Sequence, residues 1–287
     1  MQIIAKDLKF TYSLKSKSLA SQALNGVTLT VNEGEFFGII GHTGSGKSTF
    51  IQHLNGLIKM QENSGELRVG EFDLADKCDY KKLRAKVGMV FQYPEHQLFA
   101  ETVYDDVEFG LNNFFPEMSK FEKQERVKIA LELVGLDFEQ VKDKSPFDLS
   151  GGQKRRVAIA GVIVSRPEVL VLDEPVAGLD PVGKRELLKL LHELHKQFVK
   201  TIIIVSHDMN VVAEHCTSVA VFNHGCVQTV GTPEQVFANA DLISSGLELP
   251  VTAFLKNQLA KNGKQLDSDL TVDGFVQALI GSLKGGK

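Results

Sequence analysis

Short, wholly apolar runs alternate along the chain with longer stretches in which apolar residues recur at helical spacing. Four of these runs predict buried strands: Phe36–Ile40, Val87–Phe91, Val169–Leu172 and Thr201–Val205. The stretch Glu186–Phe198 has its leucines spaced as on one helix face, which predicts the crossover helix between the last two strands. Buried strands separated by helices are typical of a parallel sheet covered on both faces, so the pattern predicts an α/β fold.

Other regions have different patterns and predict appended subdomains. Residues from about 93 to 166 have helical periodicity without a buried strand, which indicates a helical subdomain inserted between two strands of the sheet. The N-terminal segment, with its alternation in Val27–Val31, and the region Glu66–Val69 predict an antiparallel β subdomain. We therefore expect a main domain over residues 1–235 and a small C-terminal domain over residues 236–287.

Composition narrows the class of protein. The 287 residues are 43% hydrophobic and 24% charged, which is ordinary for a folded protein and argues against global disorder. The net charge of -4 and the pI near 6.1 give no basic excess that would point to nucleic acid. Three cysteines without a C-x-x-C pair fit a reducing cytosol better than a disulfide framework or a zinc ribbon. No apolar run approaches the ~20 residues that span a bilayer, and the N-terminal residues predict no signal peptide.

The most specific motif follows the first buried strand. Gly41–Ser48 matches G-x-x-x-x-G-K-[ST] and opens a helix predicted over Lys47–Leu57, which predicts a P-loop NTPase with a RecA-like core. The glycines let backbone N–H groups surround phosphate oxygens, Lys47 supplies a cation for the β- and γ-phosphates, and Ser48 supplies a hydroxyl ligand for Mg²⁺. A chance glycine-rich turn is the alternative, and the flanking strand and helix argue against it. The predicted ATP contacts in this segment are Gly41, His42, Thr43, Gly44, Ser45, Gly46, Lys47, Ser48 and Thr49.

Two acids, Asp173 and Glu174, stand at the end of the third buried strand. We expect Asp173 to approach Mg²⁺, directly or through a water. Glu174 lies one residue nearer the γ-phosphate, where a carboxylate can accept a hydrogen bond or a proton from the attacking water. Solvated acids that cap a strand end are the alternative, which the phosphate loop upstream disfavours.

A second anion site is predicted far from the phosphate loop in sequence. Ser150, Gly151, Gly152 and Gln153 introduce a helix, where free backbone N–H groups and the helix dipole favour phosphate. One nucleotide does not need two such helix N-termini, so these residues are predicted to serve ATP held by a second subunit. His207 follows the fourth buried strand, and its side chain can reach the γ-phosphate from the carboxyl edge of the sheet.

These motifs, in this order, make residues 1–235 resemble the nucleotide-binding subunits of ABC transporters. The matched positions are the A-loop aromatic residue Tyr12, which stacks on adenine in that family, the Q-loop residue Gln92, the LSGGQ signature Leu149–Gln153, the Walker B pair Asp173 and Glu174, the D-loop Ala177–Pro181 with Asp180, and the switch histidine His207. The identification of Tyr12 depends mainly on its position in the chain.

The resemblance implies a sandwich of two chains around ATP. Each nucleotide then lies between the phosphate loop of one subunit and the signature of the other, and hydrolysis reopens the pair. The resemblance also implies Mg²⁺ as the cofactor of ATP, with Ser48, Gln92 and Asp173 as its ligands. Glu174, His207 and Gln92 are then the catalytic residues.

A narrower resemblance is to the ATPases of energy-coupling factor (ECF) transporters, which power the uptake of vitamins and of cobalt or nickel in prokaryotes. It is carried by Gln92–Phe99 and Glu101–Val107. Tyr93, His42–Gly44 and Arg155–Arg156 look most like the second of the two ATPase subunits in that family.

This narrower resemblance implies partners and a location. The ATPase would pair with a second ABC ATPase subunit, as a heterodimer, beneath a transmembrane coupling protein that holds a substrate-binding membrane subunit. The chain would then be a peripheral protein on the cytoplasmic face of the cell membrane, and no nucleic acid is expected as a partner. Residues 236–287 are of the size of the tail that helps to pair the ATPases in that family.

Three other functions remain open at this stage. The chain could serve another ABC importer, or it could be a soluble ABC ATPase of DNA repair or translation. Repair members insert coiled coils or zinc modules and translation members usually carry two such domains, whereas this sequence has no heptad arms, no C-x-x-C pair and one such domain. An inactive scaffold is disfavoured because Lys47, Asp173, Glu174 and His207 are all present.

Three further patterns are not interpreted as sites. His192 and His195 share a helix face but lack an acid or cysteine partner for a metal, so a solvated helix face is expected. His215–Cys216, at a helix end, lacks the spacing of metal ligands. The run Lys154–Arg156 is expected to form a charged face near the subunit interface.

Overall fold

The computed structural model describes residues 1–12, 21–76, 78–239 and 247–285 of the chain. Within these ranges the backbone forms two sheets, one of six strands and one of four, surrounded by helices. Among these residues, no helix combines the length and the hydropathy that are needed to cross a bilayer.

The larger sheet contains the predicted buried strands. Its members are β3 (Phe36–Gly41), β6 (Val87–Val90), β7 (Val169–Asp173), β8 (Thr201–Val205), β9 (Ser218–Asn223) and β10 (Cys226–Gly231). They lie in the order β10-β9-β3-β8-β7-β6, and every neighbouring pair is parallel except β9 with β10. The four predicted strands and their parallel arrangement are confirmed, with bounds that differ from the predicted ones by at most one residue.

Apolar clusters cover both faces of this sheet. Along β3, Phe37 and Ile39 belong to a cluster with the helix α1 (Lys47–Leu54) and the N-terminal subdomain. Phe36 and Ile40 belong to a second cluster on the other face, with the helical subdomain. Because side chains alternate between the faces of a strand, two covered faces require an uninterrupted apolar run. The carboxyl ends of the parallel strands open at one edge, where ligands bind in sheets of this type.

The smaller sheet is antiparallel, as the sequence predicts. Its strands are β1 (Ile3–Tyr12), β2 (Ser21–Val31), β4 (Glu66–Val69) and β5 (Phe72–Asp73), in the order β2-β1-β4-β5. In β2, Val27, Leu29 and Val31 are buried while the residues between them are exposed, which explains the alternation in the sequence. This sheet brings the end of β1 and the start of β2 close to the phosphate loop.

The region from 93 to 166 consists of helices joined by turns and short irregular segments, and none of its residues lies in a strand. It contains α3 (Val103–Phe114), α4 (Lys120–Leu133), α5 (Phe138–Val141) and α6 (Gly151–Ile163), with 3-10 turns at Pro94–Gln97 and Pro146–Asp148; the helix α2 (Tyr80–Lys86) precedes β6. Both α4 and α6 begin with a capping box, formed by Ser119 with Glu122 and by Ser150 with Gln153. The inserted helical subdomain is therefore confirmed.

Two helices have bounds that differ from the predicted ones. Helix α1 ends at Leu54, three residues early, because Gly56 adopts a φ of 67°, a left-handed conformation that terminates helices. The crossover helix α7 (Pro181–Gln197) begins five residues before the predicted Glu186. The reason is a cap: the Asp180 side chain accepts a backbone N–H of the first turn, and a proline occupies the first helical position.

Within the described C-terminal residues, 232–239 and 247–285, the helices are α9 (Pro233–Phe237), α10 (Val251–Lys261) and α11 (Val272–Gly285). Ala253 and Leu270 are buried in the same apolar cluster as the helical side of the main domain. The Val251 N–H donates to Asn210 Oδ1 at 2.9 Å, which attaches the start of α10 to the helix α8 (Met209–His215). The division into domains after residue 235 stays a prediction.

A histidine pair links α7 to α8. His192 Nε2 and His215 Nδ1 are 2.9 Å apart, so the half-buried His192 is not the solvated residue that was expected. Burial, together with neighbouring charges, lowers the pKa of both imidazoles, that of His215 to about 4. Two imidazole rings thus hold α7 to the last residue of α8.

We expect this pair to make the protein less stable in acid. Both folded-state pKa values lie below the ordinary 6.5, so the unfolded chain binds more protons as the pH falls, and the free energy of unfolding decreases. Urea titrations should show this decrease from about pH 6.5 towards the folded-state pKa of His215, near 4. The His215→Gln variant should show a shallower decrease, and equal slopes in the two proteins would contradict the assignment.

Candidate functional site

The phosphate loop connects β3 to α1 in the conformation that an anion requires. Gly46, the residue before α1, has a φ of 102°, and a Cβ there would approach the Ala23 carbonyl oxygen to 2.5 Å. Only glycine fits this position without strain. The turn leaves the N-terminus of α1, with its free N–H groups and its partial positive charge, facing the cavity in front of the sheet.

Lys47 is a buried cation inside this loop. Its Nζ donates to the carbonyl oxygens of Gly41 and His42 at 2.7 and 2.8 Å, and to Ser45 Oγ at 3.4 Å. Burial lowers the pKa of Lys47, and the charges of Glu174 and Asp173 oppose that effect. The loop therefore holds an ammonium group at its centre, in position to meet a phosphate anion.

A cavity of about 480 Å³ lies in front of the loop, at the carboxyl edge of the larger sheet. Cavities of this size accommodate nucleotide-sized ligands. The predicted residues that line it are Tyr12, Thr43, Gly44, Gly46, Lys47, Ser48, Thr49, Gln92, Asp173, Glu174 and His207. The predicted contacts that do not line it are Gly41, His42 and Ser45, which belong to the loop around Lys47.

Three oxygen-bearing side chains in the cavity fit a magnesium ion. Ser48 and Asp173 line the cavity together, and Gln92 lines it from the segment that follows β6. Burial raises the pKa of the Asp173 carboxyl, and the charge of Glu174 raises it further. Hydrogen bonding by Ser48 and the charge of Lys47 lower that pKa and partly offset the rise. A carboxylate, a hydroxyl and an amide oxygen are hard ligands of the kind that Mg²⁺ accepts beside phosphate oxygens and waters.

Glu174 and His207 are in direct contact. His207 Nδ1 lies 2.7 Å from Glu174 Oε2, and the His207 backbone N–H donates to the same oxygen at 3.4 Å. The strands β7 and β8 pair with Asp173 opposite Val205, which explains why the residues after each strand meet. Glu174 has a φ of 49°, a conformation that side chains other than glycine rarely adopt, and its backbone N–H donates to the Val205 carbonyl at 3.0 Å. This strained backbone aims a mostly shielded carboxylate into the cavity.

Tyr12 lies at the end of β1 and closes another side of the cavity. Its hydroxyl is 3.3 Å from Thr49 Oγ1, and its ring meets that of Phe10 edge-on, with centroids 4.9 Å apart. These two contacts fix the orientation of the ring, while the side chain stays exposed to the cavity. An oriented, accessible aromatic face is what stacking on a base requires.

The signature residues lie outside this cavity. Ser150, Gly151 and Gly152 are all exposed, and none of them lines the cavity around the phosphate loop. The Ser150 side chain accepts the Gln153 N–H at 3.3 Å and caps α6. A Cβ at Gly151 or Gly152 would meet nothing within 4 Å, so the fold of this chain does not itself require glycine there. Asp180 is also exposed and caps α7.

Several residues of the site were not predicted. Ser21, Gln22 and Ala23 line the cavity from β2, because the smaller sheet folds over the loop, and no sequence motif marks such a contact. Arg155 was expected on a charged face, and this is wrong: its side chain is only 7% exposed. Helical spacing could have shown this, since Arg155 precedes the buried Ile159 by four residues and so shares its face.

Comparisons with known proteins agree with this geometry. The family described as ABC transporter matches residues 24–177. The chain is 47% identical over 289 residues to the energy-coupling factor transporter ATP-binding protein EcfA2 of Clostridioides difficile (strain 630), with 99% of each chain covered. It is 49% identical over 271 residues to the protein of the same name from Symbiobacterium thermophilum, covering 93% of this chain and 92% of that one.

Solved structures give the same result. The protein cbiO1 of Clostridium perfringens, described as part of the ABC transporter complex cbiONQ, is 40% identical with a TM-score of 0.72, covering 89% of this chain and 98% of that one. The ATP-binding cassette MJ0796, described as a dimer in a post-hydrolysis state bound to ADP and Pi, is 31% identical with a TM-score of 0.70, covering 80% and 98%.

Sequence identity of this extent over nearly the whole length shows membership of the same family, and not only the same fold. The predicted P-loop fold, the ATPase activity and the resemblance to ECF ATPases are confirmed. The chain therefore belongs to the ABC transporter family, as an ATP-hydrolysing subunit of its energy-coupling factor branch.

Proposed function

We propose that this ATPase is the second of two ATP-binding subunits of an ECF transporter and that it powers the uptake of vitamins or of cobalt or nickel ions. The observation that carries the proposal is the separation of its two anion-binding elements. The phosphate loop faces the cavity, whereas the signature at Ser150 is exposed and lies outside it. A chain built in this way needs a second chain to complete each ATP site.

The cavity binds ATP from one side. Loop N–H groups and Lys47 bind the phosphates, and Tyr12 stacks on the adenine. Ser48, Asp173 and Gln92 hold Mg²⁺, which when bound neutralises phosphate charge. The residues proposed to bind the nucleotide in this chain are Tyr12, Gly41, His42, Thr43, Gly44, Ser45, Gly46, Lys47, Ser48 and Thr49.

Glu174 and His207 carry out the hydrolytic step, and Gln92 completes the catalytic set. The Glu174 carboxylate accepts the proton of a water as that water attacks the γ-phosphate. His207 keeps the carboxylate oriented through its contact at 2.7 Å and stands at the γ-phosphate end of the cavity. Lys47 supplies fixed positive charge where negative charge develops on the phosphate oxygens.

The other side of each nucleotide is supplied in trans. Ser150, Gly151, Gly152 and Gln153 present a helix N-terminus to the ATP of the partner subunit, and Asp180 lies at the same interface. The fold of this chain does not require glycine at positions 151 and 152. Glycine there is explained if the phosphate of the partner's ATP approaches the backbone closely, which supports the arrangement. The dimeric state described for MJ0796 with ADP and Pi supports the same arrangement.

The chain is proposed to work as a peripheral protein on the cytoplasmic face of the membrane. The rings of Phe99 and Phe109 meet edge-on at 4.9 Å, and both side chains are at least half exposed on the helical subdomain. Such an exposed apolar pair favours a protein partner, here the transmembrane coupling protein that holds the substrate-binding membrane subunit. The exposed Phe254 and Ile280 of residues 236–287 support a role of that segment in pairing with the second ATPase.

Purification tests the transporter assignment. We expect the tagged chain, extracted from membranes in mild detergent, to carry a second ATPase and integral membrane proteins, and native mass spectrometry should give one copy of each ATPase. The Phe99→Asp variant should lose the membrane proteins and keep the second ATPase, because the charge disrupts an apolar contact. A chain that never associates with membranes, with full ATPase activity alone, would contradict the proposal and favour a soluble ABC ATPase.

Glu174→Gln should retain ATP binding and slow hydrolysis by a factor on the order of 10² or more, because the amide cannot accept the proton. Turnover of the purified complex and the Kd for ATP measure the two effects separately. Unchanged turnover in this variant would show that another group activates the water.

Ser150→Ala and Gly152→Asp should stop hydrolysis at the partner's ATP site and not at the phosphate loop of the same chain. Nucleotide trapping in a mixed wild-type and variant pair identifies the affected site. Ser119→Ala is the matched control, because it removes the same type of capping box from the neighbouring α4, at a cost of roughly 1 kcal/mol in stability, without touching ATP. Loss confined to the variant chain's own phosphate loop would contradict the sandwich.

A further inference from the structure

Arg155 is a buried cation in the helix that carries the signature. It lies in the second turn of α6, five residues after Ser150, with its side chain 7% exposed. A charge in such a place is tolerated only when hydrogen bonds and an opposite charge surround it. All of the hydrogen-bond partners of its guanidinium group lie outside α6.

The first partner is Glu95, in the 3-10 turn Pro94–Gln97 that directly follows Gln92 and Tyr93. Arg155 Nε lies 3.0 Å from Glu95 Oε2, and Nη2 lies 3.0 Å from Oε1, which makes a bidentate pair. Burial raises the pKa of the Glu95 carboxyl, but the hydrogen bonds and the charge of Arg155 outweigh this and hold that pKa below its usual range. The turn after Gln92 is thus fixed to the signature helix by a fork with a defined orientation.

The second set of partners lies in the loop between Glu174 and Asp180. Arg155 Nη1 donates to the Pro175 carbonyl at 3.3 Å, and both terminal nitrogens donate to the Ala177 carbonyl at 3.3 and 3.4 Å. These oxygens belong to the backbone, so they move with the segment that follows the catalytic carboxylate. One guanidinium group therefore joins three segments that are far apart in sequence.

The turn and the loop also contact each other directly. Tyr93 has a φ of 54° and Gly178 a φ of 74°, and a Cβ at Gly178 would stand 3.2 Å from the Tyr93 ring. Close contact and left-handed backbone at both positions leave little freedom for one segment to shift without the other. Arg155 holds the signature helix to this packed unit.

We propose that Arg155 is a positioning residue that aligns the turn after Gln92 and the loop after Glu174 with the signature helix. On this view, which rests on the proposed sandwich, closure around ATP in the chain's own cavity also sets how Ser150 is presented to the partner's ATP. The planar fork is essential, because a lysine carries the charge but cannot bind two carboxylate oxygens and two carbonyls together. Loss of the fork leaves ATP binding intact and misaligns the catalytic groups.

The test uses the complete complex and the variants Arg155→Gln, Arg155→Lys and Glu95→Gln. We expect kcat for ATP hydrolysis to fall about 10-fold or more in the first, and less in the other two, because a small misplacement of catalytic groups is costly. The KM for ATP should change by less than about 2-fold, since no ATP contact is removed. Lys154→Gln removes a charge from the same helix and should leave kcat unchanged. Values of kcat within about 2-fold of wild type in all three variants would overturn the proposal.

A double-mutant cycle separates positioning from general stability. If Arg155 acts through the turn that follows Gln92, then Arg155→Gln should lower kcat much less in a Gln92→Ala background than in the wild type. If the two substitutions lower kcat additively, or if kcat falls only as the melting temperature falls, Arg155 has a structural role only. That result would overturn this inference and leave the proposed sandwich intact. Wild-type sites that hydrolyse ATP independently of each other would overturn the sandwich and the inference together.

Discussion

The ammonium group of Lys47 is the interaction on which the site depends. It is buried within the phosphate loop and bound by the loop's own carbonyl oxygens, and burial lowers its pKa. Asp173 and Glu174 stand close enough to oppose that shift. A cation held in this way, at the N-terminus of a helix, favours the binding of a polyanion together with a metal ion. The parallel strands place the phosphate loop and the two acids at the same edge of the sheet.

The same geometry leaves the site half complete. The carboxylate and the histidine that touch each other at 2.7 Å both face the cavity, while the signature at Ser150 does not. The groups that hydrolyse the chain's own nucleotide are therefore separate from the signature residues that contact the nucleotide of the partner subunit. Arg155 connects these two functions, because its guanidinium binds the turn after Gln92 and the loop after Glu174.

Much of the fold followed from the sequence because uninterrupted apolar runs and a helical insert have simple physical causes. Most of the residues predicted for the chain's own ATP site also met in one cavity, since strand ends of a parallel sheet converge, whereas the signature at Ser150 lies outside it. The position of Gln22 and the pairing of His192 with His215 depend on contacts between distant segments, which no local pattern encodes. Arg155 was misjudged because three adjacent basic residues resemble a solvated surface, whereas its helical phase and Glu95 place it inside. The start of α7 was missed because the Asp180 cap lies before the apolar periodicity begins.

The most direct test of the two-chain ATP site is a structure of the assembled complex, with Glu174→Gln in this chain, bound to ATP and Mg²⁺. We predict that ATP in this chain's cavity is covered by the signature helix of the partner subunit, and that Ser150 of this chain contacts the γ-phosphate of the nucleotide held by the partner. A complex in which ATP is bound with this chain's signature in solvent, or folded over its own phosphate loop, would contradict the central claim.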